Sequence, residues 1–382
     1  MQIRNVPLVL LLVALAFDAA AQSTVTVAEF DQQLTSFAQL SDGRAAAKVA
    51  GSVLKERAAP SDLARWHAQL KGDKAREALT AVYDTAEFLV PPLTATVADP
   101  LPTIAAQREI VTRAIDYVRQ TVPRLPNLLA VRTTTRFEIA TPEQLDRQER
   151  MSMLTQLRGW KPTHVYLGAV DGETLFFTGQ WQFVVTYRDG SEISQSLTGA
   201  NRHPPPPGLE TRGEFGPILT TVLGDALKGS IRFSKWEPGA KGPVAVFNYE
   251  VPKGASHYAI QNAVNGSFDL PPYRGELAID PEYGAIYRIT LKADCSESSA
   301  ALQSNISLEY GPVEIGGMTY ILPLHGVAIS QPRAIGATGA AGKVEPDEQQ
   351  MRDAPRFLND TTFTDYHQFR SEVKILTDDT QK

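Results

Sequence analysis

The stretch Val131-Arg132-Thr133-Thr134-Thr135-Arg136-Phe137-Glu138-Ile139 decides the fold of this chain, because apolar or β-branched side chains occupy every second position. Strict alternation predicts a strand with one face buried and one face in water, which is typical of an antiparallel sheet. The same pattern recurs near Trp181, Tyr287, Ile306 and Met318. Between residues 127 and 376 we count about ten to twelve such strands.

The residues before this region follow a helical pattern instead. Between residues 28 and 90, apolar positions recur every three or four residues, and turn or N-cap residues near 41–43, 60–62 and 71–73 divide them into four short helices. A longer helix follows and is stopped by Pro123. A further helix, ending at Gly229, interrupts the strands with a stripe of Phe215, Ile218, Leu219, Val222 and Ala226.

The predicted fold class is therefore α+β, with an N-terminal short-helix segment before a large curved antiparallel sheet, a half-barrel with a covering helix. The predicted divisions are a signal peptide at 1–21, a helical segment at 22–90, a connector and long helix at 91–124, the β domain at 125–376 with mobile loops near 201–212 and 333–356, and a tail at 377–382.

The first residues predict export. Arg4 precedes an apolar run from residue 6 to residue 17, and Ala19-Ala20-Ala21 offers a cleavage site before Gln22. The run is shorter than the ~20 residues that span a bilayer. We therefore expect a periplasmic or secreted protein, soluble and not membrane-spanning after cleavage. Cys295 is the single cysteine, so no intramolecular disulfide forms.

The motifs that mark common enzymes are missing from the sequence. It contains no G-x-S-x-G, S-x-x-K or H-E-x-x-H, and the six histidines are scattered singly. Residues 336–343 (GATGAAGK) lack the spacing and the hydroxyl of a phosphate-binding loop. We expect no catalytic residue, no metal site and no cofactor, although a site assembled from distant residues stays open. The net charge of −6 argues against a nucleic-acid partner.

The aromatic residues of the strands are the best candidates for function. In a sandwich they would form plain core, whereas in an open half-barrel they would line an apolar cavity closed by the covering helix. The predicted ligand-binding residues are Trp181, Phe183, Tyr187, Phe215, Leu219, Phe233, Phe247, Tyr287 and Tyr320.

Two resemblances bear on this choice. Residues 275–281 (GELAIDP) and 284–291 (GAIYRITL) resemble the strand–turn–strand pattern of the LolA/LppX/RseB-like superfamily of lipoprotein-carrier half-barrels. Residues 125–137, 309–317 and 358–367 resemble a large family of uncharacterised secreted bacterial proteins, to which no activity is attached. The mycobacterial carriers of the superfamily are lipid-anchored, whereas this chain lacks the anchoring cysteine at the predicted cleavage site, since Cys295 lies far from it.

Two functional hypotheses follow. In the first, a non-enzymatic exported protein binds a lipid, an acyl chain or another hydrophobic small molecule inside the half-barrel. In the second, the sheet is plain core and the chain is an interaction or envelope-sensing module that binds an envelope protein. An open cavity of several hundred cubic ångströms would favour the first, and an exposed apolar patch would favour the second.

Overall fold

The computed structural model describes residues 23–92, 97, 100–140, 165–170, 173–188, 190–196, 211–261, 268–333 and 356–368. The predicted signal peptide, the tail, and nearly all of the two predicted loops lie outside the described residues. Among the described helices, none is both long and apolar enough to cross a membrane.

The chain begins with a helical segment, as the sequence predicts. It contains α1 (Val27–Phe37), α2 (Asp42–Ala50), α3 (Pro60–Gln69) and α4 (Asp73–Thr85). Thr26 caps α1 in a reciprocal capping box with Glu29. The first residue of α2 also caps α4, because the Asp42 carboxylate accepts hydrogen bonds from the backbone amides of Lys74 and Ala75. A short parallel pair, β1 (Ser23–Val25) with β2 (Ser52–Leu54), is an element that the sequence analysis did not predict.

A longer helix, α5 (Ile104–Thr121), leads into the β domain, and α6 (Pro217–Ala226) is the helix that interrupts its strands. The strands are β3 (Leu128–Ala140), β4 (Val165–Val170), β5 (Glu173–Arg188), β6 (Ser191–Ser196), β7 (Ser230–Gly239), β8 (Gly242–Val251), β9 (Ile260–Gln261), β10 (Phe268–Asp269), β11 (Tyr273–Ile279), β12 (Ile286–Ala293), β13 (Ala301–Ile315), β14 (Met318–Pro332) and β15 (Arg356–Gln368).

Eleven of these strands form one open antiparallel sheet, and the predicted α+β half-barrel is confirmed. The order is β4-β5-β3-β15-β14-β13-β12-β11-β8-β7, with β6 also paired to β5. The C-terminal strand β15 lies between β3 and β14. The two ends of the β domain are thereby joined in the middle of the sheet, so that no edge is made by the last strand.

Helices cover both faces of the sheet. On the α5–α6 face, Ala114 and Val222 pack in one hydrophobic core with Phe247, Leu291 and Leu308 of the sheet. The opposite face, the α4 face, packs against the helical segment. There Ala81 of α4 lies in a cluster formed by Phe137, Ile139, Leu175, Val327, Ile329 and Leu358.

One expectation from the opening stretch is wrong. Arg132 and Arg136 were expected to face water, but they are 6% and 1% exposed. They lie on the α5–α6 face, where each guanidinium stacks over an aromatic ring of β5, Phe183 and Trp181 respectively. A cation held against an aromatic face can be buried at lower cost than a cation in hydrocarbon.

The turn between β11 and β12 forms as the sequence predicts. Asp280 Oδ1 accepts the amides of Glu282 and Tyr283, and Gly284 adopts a φ of +75°. Gly284 is needed for a second reason, since a Cβ there would lie 2.4 Å from the Arg113 backbone of α5. The turn is therefore a point at which the backbone of α5 lies directly against the sheet.

Candidate functional site

The α5–α6 face carries the largest apolar cluster of the described residues. We call it the α5–α6 core. Its sheet members come from six consecutive strands, β8, β11, β12, β13 and β14 with β7 at the rim, and its cover is formed by α5 and α6. Of the eighteen residues of α5, Ile110, Ala114 and Val118 are fully buried. Val111, Ile115 and Tyr117 of the same helix are partly buried against this core, and α6 adds Ile218, Leu219, Val222, Leu223 and Ala226 to the cover.

The nine predicted ligand residues do not lie on one common surface. Leu219 and Phe247 belong to the α5–α6 core, with half-buried Phe233 at its edge. Tyr187 and Phe215 belong to a neighbouring cluster, with Tyr320 at its periphery. Trp181 and Phe183 lie beside the two buried arginines. Tyr287 packs against Val244, Val246 and Ala278 instead.

The position of Tyr287 has a clear physical cause. The sequence analysis grouped it with Ile289 and Leu291 by strict alternation. The pairing of β11 with β12 shifts register between Ala278 and Ile279, which places an extra residue in β12 at Tyr287. Its hydroxyl donates to Asp280 Oδ2 at 3.2 Å. Phe215 likewise precedes α6 instead of starting its stripe, because the helix begins at Pro217.

Two cavities accompany these surfaces. One, of about 20 Å³, is lined by Arg132, Arg136, Trp181 and Phe183 among others, and it has room for a single water. The other, of about 230 Å³, lies in the helical segment and touches none of the nine predicted residues; its lining comprises Ala38, Leu40, Asp42, Ala45, Leu70, Lys71, Gly72 and Ala75.

The α4 face carries an extended buried ion network. Arg57 of the helical segment lies 2.6 Å from Glu237 of β7 and 3.3 Å from Glu276 of β11. Arg288 of β12 contacts the same two carboxylates, and Lys235 adds a third cation. Burial favours a neutral Glu237, but the charges of Arg288 and Arg57 lower the pKa of this carboxyl to about 2. The network therefore stays ionised and joins the helical segment to the sheet.

Next to this network lies a second group, which we call the His325 cluster. His325 of β14 has its Nε2 3.0 Å from Oδ1 of Asp360 on β15 and 3.5 Å from Oδ1 of Asp84 on α4. Its Nδ1 faces Glu309 Oε2 of β13 at 3.7 Å. Glu87, buried after α4, accepts a hydrogen bond from Ser307 Oγ. Three carboxylates, those of Asp84, Glu309 and Asp360, thus surround one imidazole, and Glu87 is a fourth buried acid nearby.

The protonation preferences of the His325 cluster reflect its burial. Complete burial, and then the charge of Asp360, raise the pKa of Asp84 well above its ordinary value. Burial opposes a charge on His325, yet the hydrogen bond to Asp360 and the charge of Asp84 outweigh it and raise the pKa of the imidazole. The cluster is a place where positive charge is strongly favoured, whether a proton or another cation supplies it.

A third polar arrangement involves His257, which follows Ser256 in the sequence. Asp225 of α6, almost fully buried, accepts the His257 backbone amide at 2.7 Å, and its Oδ1 lies 2.6 Å from Nδ1 of the ring. The hydroxyl of Tyr273 donates to the same carboxylate. This arrangement fixes the imidazole at the end of α6.

Sequence reasoning missed the His325 cluster for an identifiable reason. Its residues come from α4, β13, β14 and β15, so no local spacing links them. The available signal was weak: His325, Glu309 and Asp360 are polar residues on strands that otherwise carry apolar side chains at alternate positions. A polar residue in such a place is either solvent-exposed or satisfied across an interface, and the strand pattern does not distinguish the two.

No protein-family model, curated protein or solved structure matches this chain.

Proposed function

We propose that this chain is a non-enzymatic exported protein that binds a hydrophobic ligand, a lipid or an acyl chain, between the sheet and helices α5 and α6. The observation that carries the proposal is the wide apolar surface of the α5–α6 core beneath a thin cover. Five of its strands contribute fourteen buried apolar residues, against eight from α5 and α6 together. Removing α5 would open a broad apolar trough.

The attachments of α5 are compatible with movement. The Arg113 guanidinium donates to the Pro281 carbonyl at 2.7 Å, and the Tyr187 hydroxyl donates to the Val122 carbonyl at 3.1 Å. The other interactions that hold α5 on the sheet are apolar contacts, which are non-directional. An acyl chain that enters beneath α5 would replace the contacts of Ile110, Ala114 and Val118 with equivalent ones. Ligand uptake would therefore displace α5 and leave α4 in place.

The experiment combines native mass spectrometry with hydrogen exchange on the chain purified from the exported fraction. We expect a co-purified lipid, or stoichiometric uptake of a fluorescent fatty acid after solvent extraction. Uptake should speed amide exchange across residues 104–121 and leave residues 73–85 unchanged. A clean apo mass together with no fatty-acid uptake would refute the proposal.

Matched variants locate the binding surface. Phe233 is half-buried at the edge of the α5–α6 core, where its ring contacts Trp236 and Phe247. Phe233→Asp should weaken uptake without unfolding the chain. Met318, which is 62% exposed, provides the control, since Met318→Asp adds the same charge away from this core. Equal uptake by both variants would place the ligand elsewhere.

The second candidate function is an interaction or envelope-sensing module with the sheet as plain core. The buried ion network between Arg57, Glu237 and Glu276 favours it, because this network holds the helical segment in place on the sheet. The outer surface of the helical segment could then bind a partner protein. If the chain takes up no fatty acid in the experiment above, this candidate function is the one that stands. A purified envelope partner would then have to bind the helical segment.

A further inference from the structure

Asp84 is a buried acid without a hydrogen-bond partner. The residue is 0% exposed, and neither carboxylate oxygen hydrogen-bonds to any described group. The hydroxyl of the adjacent Tyr83 is buried and unpartnered in the same way. Buried polar groups in folded proteins are nearly always satisfied, and an exception points to a bound water or ion. Here one of the unpartnered oxygens, Oδ1 of Asp84, lies 3.5 Å from Nε2 of His325.

Three possible metal ligands meet at this point. One oxygen of Asp84, one of Asp360 and a ring nitrogen of His325 all lie within 4.8 Å of one another. Nε2 of His325 is 3.0 Å from Asp360 Oδ1 and 3.5 Å from Asp84 Oδ1. Zinc binds imidazole nitrogen and carboxylate oxygen at about 2.0–2.2 Å, so neighbouring ligands of a tetrahedral site lie roughly 3.3–3.5 Å apart. The observed separations fit a cation between the three groups with small side-chain rotations.

The surroundings favour a cation with more than one charge. Nδ1 of His325 faces Glu309 at 3.7 Å, and an imidazole that binds a metal commonly donates its other N–H to a carboxylate. The guanidinium groups of Arg57 and Arg288 are already engaged by Glu237 and Glu276. The side chains of His325 and Asp360 are 16% and 12% exposed, which leaves a narrow route from solvent.

We propose that Asp84, His325 and Asp360 form a binding site for a divalent transition-metal ion such as Zn²⁺. The ion takes the place of the proton that His325 Nε2 otherwise shares with the carboxylates. A set of one imidazole and two carboxylates suits zinc, manganese or iron better than calcium, which prefers six or more oxygens. The three ligands belong to α4, β14 and β15, so the ion ties the helical segment to the centre of the sheet. This site is independent of the ligand proposed for the α5–α6 face.

The test uses the full exported chain, treated with a chelator and then dialysed. Addition of Zn²⁺ should give one equivalent of bound zinc by inductively coupled plasma mass spectrometry and a higher melting temperature. Co²⁺ should give visible absorption bands of a low-symmetry site. Ca²⁺ and Mg²⁺ at the same concentration should leave the melting temperature unchanged. A chain that takes up no zinc, or that responds equally to Ca²⁺, would overturn the proposal.

Variants separate this site from adventitious binding. Asp84→Asn should abolish the increase in melting temperature caused by zinc, because it removes one of the three ligands. Asp360→Asn should also abolish zinc binding and serves if Asp84→Asn does not fold. His257, in the other close histidine–aspartate pair, provides the matched control. His257→Gln should bind zinc normally; loss of zinc in this variant but not in Asp360→Asn would overturn the assignment.

Discussion

Replacement of Arg57 by methionine tests how the helical segment is held on the sheet. The Arg57 side chain is 7% exposed and contacts two carboxylates, Glu237 at 2.6 Å and Glu276 at 3.3 Å. Breaking a buried ion pair from one side costs about 3–5 kcal/mol, since the remaining charge is left buried. Arg288 and Lys235 still neutralise the two carboxylates, so we expect the lower end, about 3 kcal/mol.

The assay is urea unfolding at pH 7, followed by tryptophan fluorescence. Arg65→Met is the control, because Arg65 also lies in the helical segment and also contacts two carboxylates, Asp31 and Asp62. Its side chain is 49% exposed, and exposed pairs contribute about 0–1 kcal/mol. If Arg57→Met loses no more stability than Arg65→Met, the buried network does not hold the helical segment, and our reasoning is wrong.

The dependence on pH gives this prediction a second readout. Burial opposes ionisation of Glu237, but Arg288 and Arg57 lower its pKa from 4.5 to about 2. A carboxyl with a lowered folded-state pKa contributes stability above pH 4.5, and this contribution is lost as the pH falls toward 2. The difference between the wild-type chain and Arg57→Met should therefore be largest near neutral pH and should shrink below pH 4.5.

Three further predictions concern single positions. In thermal melts, Gly284→Ala should destabilise the chain by more than about 1 kcal/mol, because alanine is strained at a φ of +75° and its Cβ would collide with the α5 backbone. Gly43 has open space around it, so the control variant Gly43→Ala should be neutral or stabilising in the same assay. Burial, and then the charge of the neighbouring Glu214, raise the pKa of Glu192 to about 7. The contribution of Glu192 to the free energy of unfolding therefore falls as the pH rises from 4.5 to 7. Glu192→Gln should flatten that part of the curve in a pH series of urea melts. Tyr249→Phe should cost about 1 kcal/mol in urea melts by removing a buried hydrogen bond to a backbone carbonyl, and no loss would contradict that bond.

The candidate sites show why function was harder to predict than fold. The sequence analysis chose aromatic residues on the assumption that every second position along each strand shares one face. That assumption holds for Trp181, Phe183 and Tyr187 on β5. It fails for Tyr287, where the register shift in the pairing of β11 with β12 breaks the alternation. Residues on the same face can also lie far apart along the sheet, and the predicted set accordingly divides among separate clusters.

The amino-acid sequence by itself determined the elements of this protein. The alternation in β3 and β5, the helical spacing before residue 90, and the Asp280–Gly284 turn are local patterns, and local backbone preference with one-sided burial is enough to specify them. The tertiary structure alone decided which faces are covered and which charges meet. Arg136 became buried because the rings of Trp181 and Phe357 and the amide of Asn359, on neighbouring strands, enclose its guanidinium. Asp84 met His325 and Asp360 because α4 packs across the middle of the sheet. Contacts between residues that are hundreds of positions apart depend on how elements pack, and no periodicity along the chain records that packing.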